Sequence, residues 1–390
     1  MVDRISKLPD ELLCHILSFL PTQQAVATSI LSKRWLPLWI SVPVLDFDNQ
    51  AHPIGDIEML VYATLQARDP QQPITSFRLI YDVYDPQRAN ADVNVWVNTV
   101  IQRGIENIEI EPEIELELDP ESEPEFDPEP TKIQRVGPNI CLSSKIFSCR
   151  TLVVLKLKRV SLAASSSVEL PALKSLNLNR VNFEEPQYLM ELLYGCPILE
   201  DLKTFVIRYA HDGSFCEDRV KILPKLVRAE IRIVRIETMD GNDANVLLKA
   251  ISNVEFLTIT QFELNDAVPE FPHLRHLGLS LEFHSCHSVI LMLKNCPKLQ
   301  SFIFGGTFKN VPPYPHFVPE CLTSCLTKCY LRYYPGYFRH TYLQFAKYIL
   351  QNSTHLQVMK IGDTSPSPPE VLEELALCPR KSASCELSFI

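Results

Sequence analysis

Glycine is scarce, with 11 residues among 390, and nowhere do the few glycines form a phosphate-cradling loop or a dinucleotide fingerprint. No nucleophile motif stands in their place, so the chain is expected not to be an enzyme. No window reaches the eighteen or so uninterrupted apolar residues of a spanning helix. Nor does a basic region followed by an apolar run open the sequence. Neither a membrane nor a secretory route is therefore expected, and the nucleus, the cytoplasm or both are the expected location. Basic side chains are missing from one long stretch. Between Glu106 and Glu129 stand twelve acidic side chains and no Lys or Arg, so the net charge of −10 is local and the rest of the chain sums to about +2. Pro112, Pro120, Pro124, Pro128 and Pro130 interrupt this tract. High charge with repeated proline buries too little apolar surface to offset chain entropy, which predicts a disordered acidic, Pro-rich insertion over about 111–135. An EF-hand needs oxygens at fixed loop positions around a Gly turn, and the tract supplies neither.

What is present is apolar and repetitive. Residues of hydrophobic type make up 46% of the chain, and its length exceeds one ordinary core, so a small domain joined to an extended architecture is expected. The 12 cysteines are scattered through apolar repeats without a secretory signal, which fits buried reduced thiols. Cys321, Cys325 and Cys329 lie four residues apart, and His284, Cys286 and His287 form a second cluster. Structural zinc sites bring paired ligands from two segments, typically at C-x-x-C spacing, and a strand would turn these side chains apart. No metal and no cofactor is expected. Cys196-Pro197 and Cys296-Pro297 each read as a small buried thiol before a turn-fixing proline. Tyr330, Tyr333, Tyr334, Tyr337 and Phe338 with Arg332 and Arg339 could stack single-stranded nucleic acid. Without a wider basic groove, a packed or partner-facing edge is the reading adopted, and no nucleic-acid partner is expected.

The body carries an apolar-x-x-apolar-x-apolar register. Its clearest copies are Leu152/Leu155/Leu157, Leu173/Leu176/Leu178, Leu274/Leu277/Leu279 and Leu299/Phe302/Phe304. Weaker copies stand at Ile74/Phe77/Leu79, Ile105/Ile108/Ile110, Leu226/Ala229/Ile231, Val254/Leu257/Ile259 and Leu356/Met359/Ile361, with partial matches at Leu199/Leu202 and Leu326/Cys329/Leu331. The last two positions alternate as in a short strand, and the first fills the turn entering it. Helices are expected over Asn94 to Gln102, Gln187 to Tyr194, Ala244 to Ile251 and Val289 to Lys294. Parallel strands alternating with return helices make a curved α/β solenoid whose strand-lined face is the usual place for a macromolecular partner. The register does not name that partner, and substrate-binding residues and any small-molecule co-receptor stay undetermined.

Ahead of this body, Leu8, Leu12, Leu13, Ile16, Leu17 and Leu20 recur at helical spacing. Pro9 suits the first turn, and Asp10 and Glu11 favour the positive end of the dipole. Pro21 ends this helix, Thr22 is placed to cap a second through Ala25, Val26 and Ile30, and a third begins near Ser32 and carries Trp35 and Trp39 until Pro37 limits it. Forty residues cannot enclose so many large apolar groups alone. They either cap the body behind them or meet a partner.

These residues, Leu8-Pro9-x-x-Leu12-Leu13, the Leu20-Pro21 stop and Leu31-Ser32-Lys33-Arg34-Trp35, resemble the F-box of plant proteins. From Val318, the opening Val318-Pro319-Glu320-Cys321-Leu322, a strand near Leu331, a helix over Leu343 to Gln351 and the closing Ser384-Cys385-Glu386-Leu387-Ser388-Phe389 resemble the FBD region of plant F-box and leucine-rich-repeat proteins. The resemblance implies a three-helix F-box over 1–48, a curved leucine-rich-repeat solenoid over 49–317 and an FBD region over 318–390 that continues it. It further implies a substrate-recognition subunit of a Skp-cullin-F-box ubiquitin ligase, bound through a Skp-type adaptor to a cullin and RING scaffold. The alternative is a binding scaffold that does not promote ubiquitination. Leu8, Pro9, Leu12, Ile16, Leu17, Leu20 and Pro21, with Leu31, Ser32 and Trp35, are the expected adaptor contacts.

Overall fold

The computed structural model describes residues 5–49, 57–83, 86–113, 140–163, 167–209, 220–232, 241–260, 268–308, 317–333, 339–363 and 374–389. The chain divides into two compact units, Met1–Glu184 with Arg208–Ala210, and Glu185–Ile207 with His211–Ile390.

The first unit opens with α1 (Asp10–Leu17) and α2 (Thr22–Ala27), followed by 3-10 turns at Thr28–Ile30 and Leu38–Ser41. Pro9 stands at the N-cap of α1 and Pro21 at that of α2, where a missing N–H costs no hydrogen bond. Thr22 does not cap α2. Its hydroxyl instead accepts from the Asp46 amide at 2.8 Å, tying the module to the strand that follows. The third helix expected near Ser32 is replaced by turns and the Leu38–Ser41 3-10 helix, because Pro37 cannot donate to a longer ladder.

Then come β1 (Val44–Asp48), α3 (Ile57–Gln66), β2 (Ser76–Asp82), α4 (Pro86–Ile101), β3 (Asn107–Glu113), β4 (Ile140–Leu142), β5 (Val154–Lys158), β6 (Val160–Leu162) and β7 (Ser175–Phe183). β1, β2, β3, β5 and β7 pair in that order, all parallel, while β4 pairs with β6 and β6 with β7. β1 lies inside the stretch that sequence assigns to the F-box. Leu45, Phe77, Ile108, Leu155 and Leu176 stand in one register row, and each is buried. Trp96 and Val100 of α4 are fully enclosed behind these strands. Residues 111–113, at the front of the expected disordered insertion, are the end of β3; the remainder of that insertion, from 114, lies outside the described residues.

The second unit contains α5 (Pro186–Tyr194), β8 (Asp201–Tyr209) as far as Ile207, β9 (Arg228–Arg232), α6 (Gly241–Ala250), β10 (Phe256–Thr260), β11 (His276–His284), α7 (Cys286–Lys294), β12 (Ser301–Phe308), α8 (Glu320–Ser324), β13 (Lys328–Tyr333), α9 (Arg339–Asn352), β14 (Val358–Asp363) and β15 (Glu386–Phe389). These strands pair in chain order, all parallel, as an open sheet. Leu202, Ala229, Leu257, Leu277, Phe302, Cys329 and Met359 form the inner row, so Cys329 replaces a large aliphatic without shifting register. Each Leu, Phe or Met of this row taken wholly from water contributes roughly 1.5–3 kcal/mol before chain entropy is set against it.

The repeat is equally regular in its backbone. The Pro43 carbonyl accepts from the Thr75 and Ser76 amides, Thr75 from Glu106 and Asn107, and Glu106 from Val153 and Val154. In the second unit the same junction recurs: Val227 accepts from Glu255 and Phe256, Gln300 from Thr327 and Lys328, and Thr327 from Gln357 and Val358. One carbonyl at each turn thus holds two amides of the next repeat, which satisfies polar groups that stacking would otherwise bury unpaired. β13 and β14 follow this rule, and at β15 the Glu386 amide donates to the Gln357 carbonyl.

Candidate functional site

α1 carries two adjacent apolar stripes. Leu13 and Leu17 point inward and are 0% and 1% exposed, while Leu12, Ile16 and Phe19 remain 49%, 44% and 75% exposed. Residues one apart on a helix differ by about 100°, so the stripes diverge and only one can be covered by the module itself. Inside, Leu13, Leu17, Ala25, Trp35, Leu38 and Val42 form the core, with Leu8, Leu20 and Trp39 packed partly against it.

The expected contact residues divide accordingly. Leu17 and Trp35 lie in the module's own core; Leu8, Leu20 and Pro21 are half-buried; Pro9, Leu12, Ile16, Leu31 and Ser32 are exposed. Sequence reasoning passed over Phe19, Ile30 and Leu36, which are 75%, 88% and 61% exposed. The spacing Leu12, Ile16, Phe19 carried the signal, since it repeats by four and three. Among the described residues, half of the large hydrophobics standing in solvent belong to the first 36 positions, and such crowding marks a surface built to be covered.

Charge closes the module rather than opening it. Arg34 pairs with Asp10 at 2.6 Å and donates also to the Leu8 carbonyl, clasping the start of α1 to the Leu31–Trp35 turn. His15 meets Phe19 edge-on, with ring centroids 5.0 Å apart.

On the open face of the first unit's strands, opposite charges alternate. Arg78 pairs with Asp46 and Asp48 at 2.8 Å, and Lys156 with Glu109 at 3.0 Å. Lys158 meets Glu111 and Glu113, and Arg159 meets Glu113. The front of the acidic tract is therefore a strand face neutralised by its neighbours.

The candidate metal residues separate. The Cys321 thiol is buried and donates to the Leu293 carbonyl, Cys325 turns to the Pro297 and Leu299 carbonyls, and Cys329 is enclosed in β13. Burial raises the Cys321 thiol to about 12, as it does Cys196, so both are protonated at neutral pH. Cys286 is buried in α7, and the side chain of His284 lies outside the described residues. Of the aromatic cluster, residues 334–338 lie outside the described residues, while Tyr330 and Arg332 sit on the open face of β13. No described helix is long and apolar enough to cross a membrane.

A helical module with an uncovered apolar stripe, joined to stacked parallel repeats, defines the class of F-box and leucine-rich-repeat proteins. Residues 5–47 match the F-box domain model, 130–223 match the model for the LRR repeats of FBD-associated F-box protein At5g56370, and 314–361 match the FBD model. The chain is 30% identical over 438 residues to FBD-associated F-box protein At4g10400 of Arabidopsis thaliana, covering 100% of both. It is 28% identical over 450 residues to F-box/FBD/LRR-repeat protein At4g26340 of the same plant, again covering 100% of both. To F-box/LRR-repeat protein At4g14103, also from Arabidopsis thaliana, it is 37% identical over 377 residues, covering 78% of this chain and 92% of that one. The chain belongs to the FBD-associated F-box/leucine-rich-repeat family. F-box proteins are in general non-catalytic substrate adaptors of Skp-cullin-F-box complexes, and an F-box implies binding of a Skp-type adaptor.

Proposed function

We propose that this chain is the substrate-recognition subunit of a Skp-cullin-F-box ubiquitin ligase. The observation that carries the reading is the uncovered apolar set Leu12, Ile16, Phe19, Ile30, Leu31 and Leu36, flanked by Pro9 and Ser32. These residues meet the adaptor, whereas Leu17 and Trp35 act from beneath by fixing the backbone that presents them. Leu8, Leu20 and Pro21 contribute at the rim. A few anchors dominate such an interface, each worth about 2 kcal/mol or more on truncation.

F-box, leucine-rich repeats and continuing FBD strands make up the receptor, and the strand-lined face of the repeats holds a target protein in the nucleus or cytoplasm. Catalysis belongs to the ubiquitin-loaded enzyme on the cullin and RING scaffold. The receptor supplies proximity, raising the effective concentration of target lysines near a thioester that another protein carries. Reconstitution tests this: the chain, adaptor, cullin and RING subunit should assemble stoichiometrically and transfer ubiquitin to a target captured by the repeats. Assembly with the adaptor but never with the cullin would favour a scaffold that does not promote ubiquitination.

A further inference from the structure

The strand faces of the two units differ in how their cations are matched. In the first, each of Arg78, Lys156, Lys158 and Arg159 lies against a carboxylate. In the second, register places Arg228, Phe256, His276 and Lys328 in one row, with Ile303, Tyr330 and Lys360 in the next. Arg332 stands one row further on. Among the described residues, Arg228, Lys328, Arg332 and Lys360 have no carboxylate at ion-pair distance. Arg228 and Lys360 lie against rings, while Lys328 is flanked by Ser301 and Val358 and Arg332 by Gly305 and Gly362. The Arg228 guanidinium lies over Phe256 at 4.9 Å, Phe256 stacks on His276 at 4.6 Å, and the Lys360 ammonium lies 5.8 Å from the Tyr330 ring. Partial burial, together with Lys328, Arg275 and Arg228, holds the His276 imidazole below its ordinary range. Glu230 stands in the row of Ile303, Tyr330 and Lys360 and pairs with Lys203 at 3.5 Å, so the four unmatched cations leave this face positive even though the whole chain carries −10.

We propose that the open face of β9–β14 binds an acidic peptide segment of the target, with Arg228, Lys328, Arg332 and Lys360 pairing its carboxylates and Ile303, Phe256 and Tyr330 receiving apolar side chains between them. The proposal rests on the receptor reading for the partner's role and adds its chemistry. The cations stand at the two ends of a six-strand span, Arg228 on β9 and the other three on β13 and β14, about 24 Å apart at 4.8 Å per neighbour. That spacing suits a line of carboxylates better than one phosphate, and an extended peptide of about eight residues spans it. Gly278 and Gly305 carry no side chain on this face, which lets a ligand backbone approach the sheet between Thr258 and Arg332. Half-exposed Ile303 favours a peptide over a nucleic acid, and the chain's net negative charge opposes a long polyanion.

The test uses the full chain bound to its adaptor and a fluorescein-labelled peptide of about eight residues alternating Glu and Tyr, the length set by the strand spacing. A Lys and Tyr peptide, an oligo-dT of similar length and phosphatidylserine vesicles serve as competitors. The Glu and Tyr peptide should bind, weaken as salt rises, and lose at least about tenfold in affinity in the Arg332→Glu, Lys360→Glu double variant. Arg332→Gln with Lys360→Gln should weaken it less but in the same direction, which keeps the test valid if charge reversal disturbs folding. Lys156→Gln, on the first unit's strands and matched by Glu109, should leave it unchanged. Equal binding of the Lys and Tyr peptide, undiminished affinity in both double variants, or preferential binding of the oligonucleotide or vesicles would overturn the proposal. Adaptor co-elution is read on the same samples: loss of peptide binding with the adaptor retained bears on this face alone, and loss of adaptor with peptide retained bears on the F-box reading alone.

Discussion

The Arg68 guanidinium donates to the Val42 carbonyl at 2.6 Å, from a side chain whose residue is only 3% exposed. A second donor reaches the Trp39 carbonyl at 2.9 Å. Arg68 follows α3 of the repeat body, while Val42 and Trp39 close the docking module, so one planar cation ties the two together. Burial, with Arg103 nearby, lowers its pKa to about 10, which still leaves it charged at neutral pH.

Arg68→Met should destabilise the first unit by roughly 1–3 kcal/mol, because the buried Val42 carbonyl loses its side-chain donor while the Trp39 carbonyl keeps the Val42 amide. Arg68→Lys should restore part of this, since an ammonium keeps the charge but not the fork. Urea unfolding of the three proteins measures the difference, and equal midpoints would remove Arg68 from this role.

Ile16 and Leu17 are neighbours with opposite exposure, so their variants should separate binding from folding. Leu17→Ala should cost about 2–5 kcal/mol of stability through lost burial and a cavity. Ile16→Ala should change stability by less than about 1 kcal/mol, since Ile16 is already 44% exposed and truncation there opens no enclosed cavity. Thermal unfolding, read beside adaptor affinity, checks the pair.

Gly306 has φ of +150°, and a Cβ there would stand 1.8 Å from the Leu281 carbonyl oxygen. It sits where the β11 and β12 register shifts between Leu281 and His284. Gly306→Ala should therefore destabilise by more than about 2 kcal/mol, whereas Gly104→Ala, at φ +77° with open space around it, should cost only about 1 kcal/mol. Denaturant midpoints of the two variants should rank in that order.

His276 sets a direction of pH dependence. Its folded pKa is lowered by partial burial and by Lys328, Arg275 and Arg228, against a raising effect of Glu255. The unfolded chain thus binds more protons on falling below the ordinary histidine range near 6.5, and the stability His276 contributes above it is lost as pH falls through the folded pKa. His276→Gln should flatten this part of the stability profile as pH falls below the ordinary histidine range, as followed by urea midpoints at each pH.

Much of the fold was legible because each strand pairs a leading aliphatic with two alternating ones, and that pattern survived even the substitution of Cys329 for leucine. β1 was passed over, since Val44–Asp48 follows the docking module without the leading turn that marks later repeats. The proposed docking surface was half legible. Periodicity shows that Ile16 and Leu17 lie on helical stripes, but which stripe the module covers depends on Trp35 and Leu38, placed by turns that no short pattern specifies. The hydroxyl of Thr22 found Asp46 rather than its own helix for the same reason: its partner lies 24 positions away.

The most direct test of the account is the affinity of a Skp-type adaptor for the intact chain and for its Ile16→Asp and Leu31→Asp variants, measured by calorimetry with folding verified by circular dichroism. The account predicts tight one-to-one binding by the unaltered chain and a loss of at least about thirtyfold in each folded variant. Undiminished binding by both variants, or no binding by the unaltered chain, would contradict it.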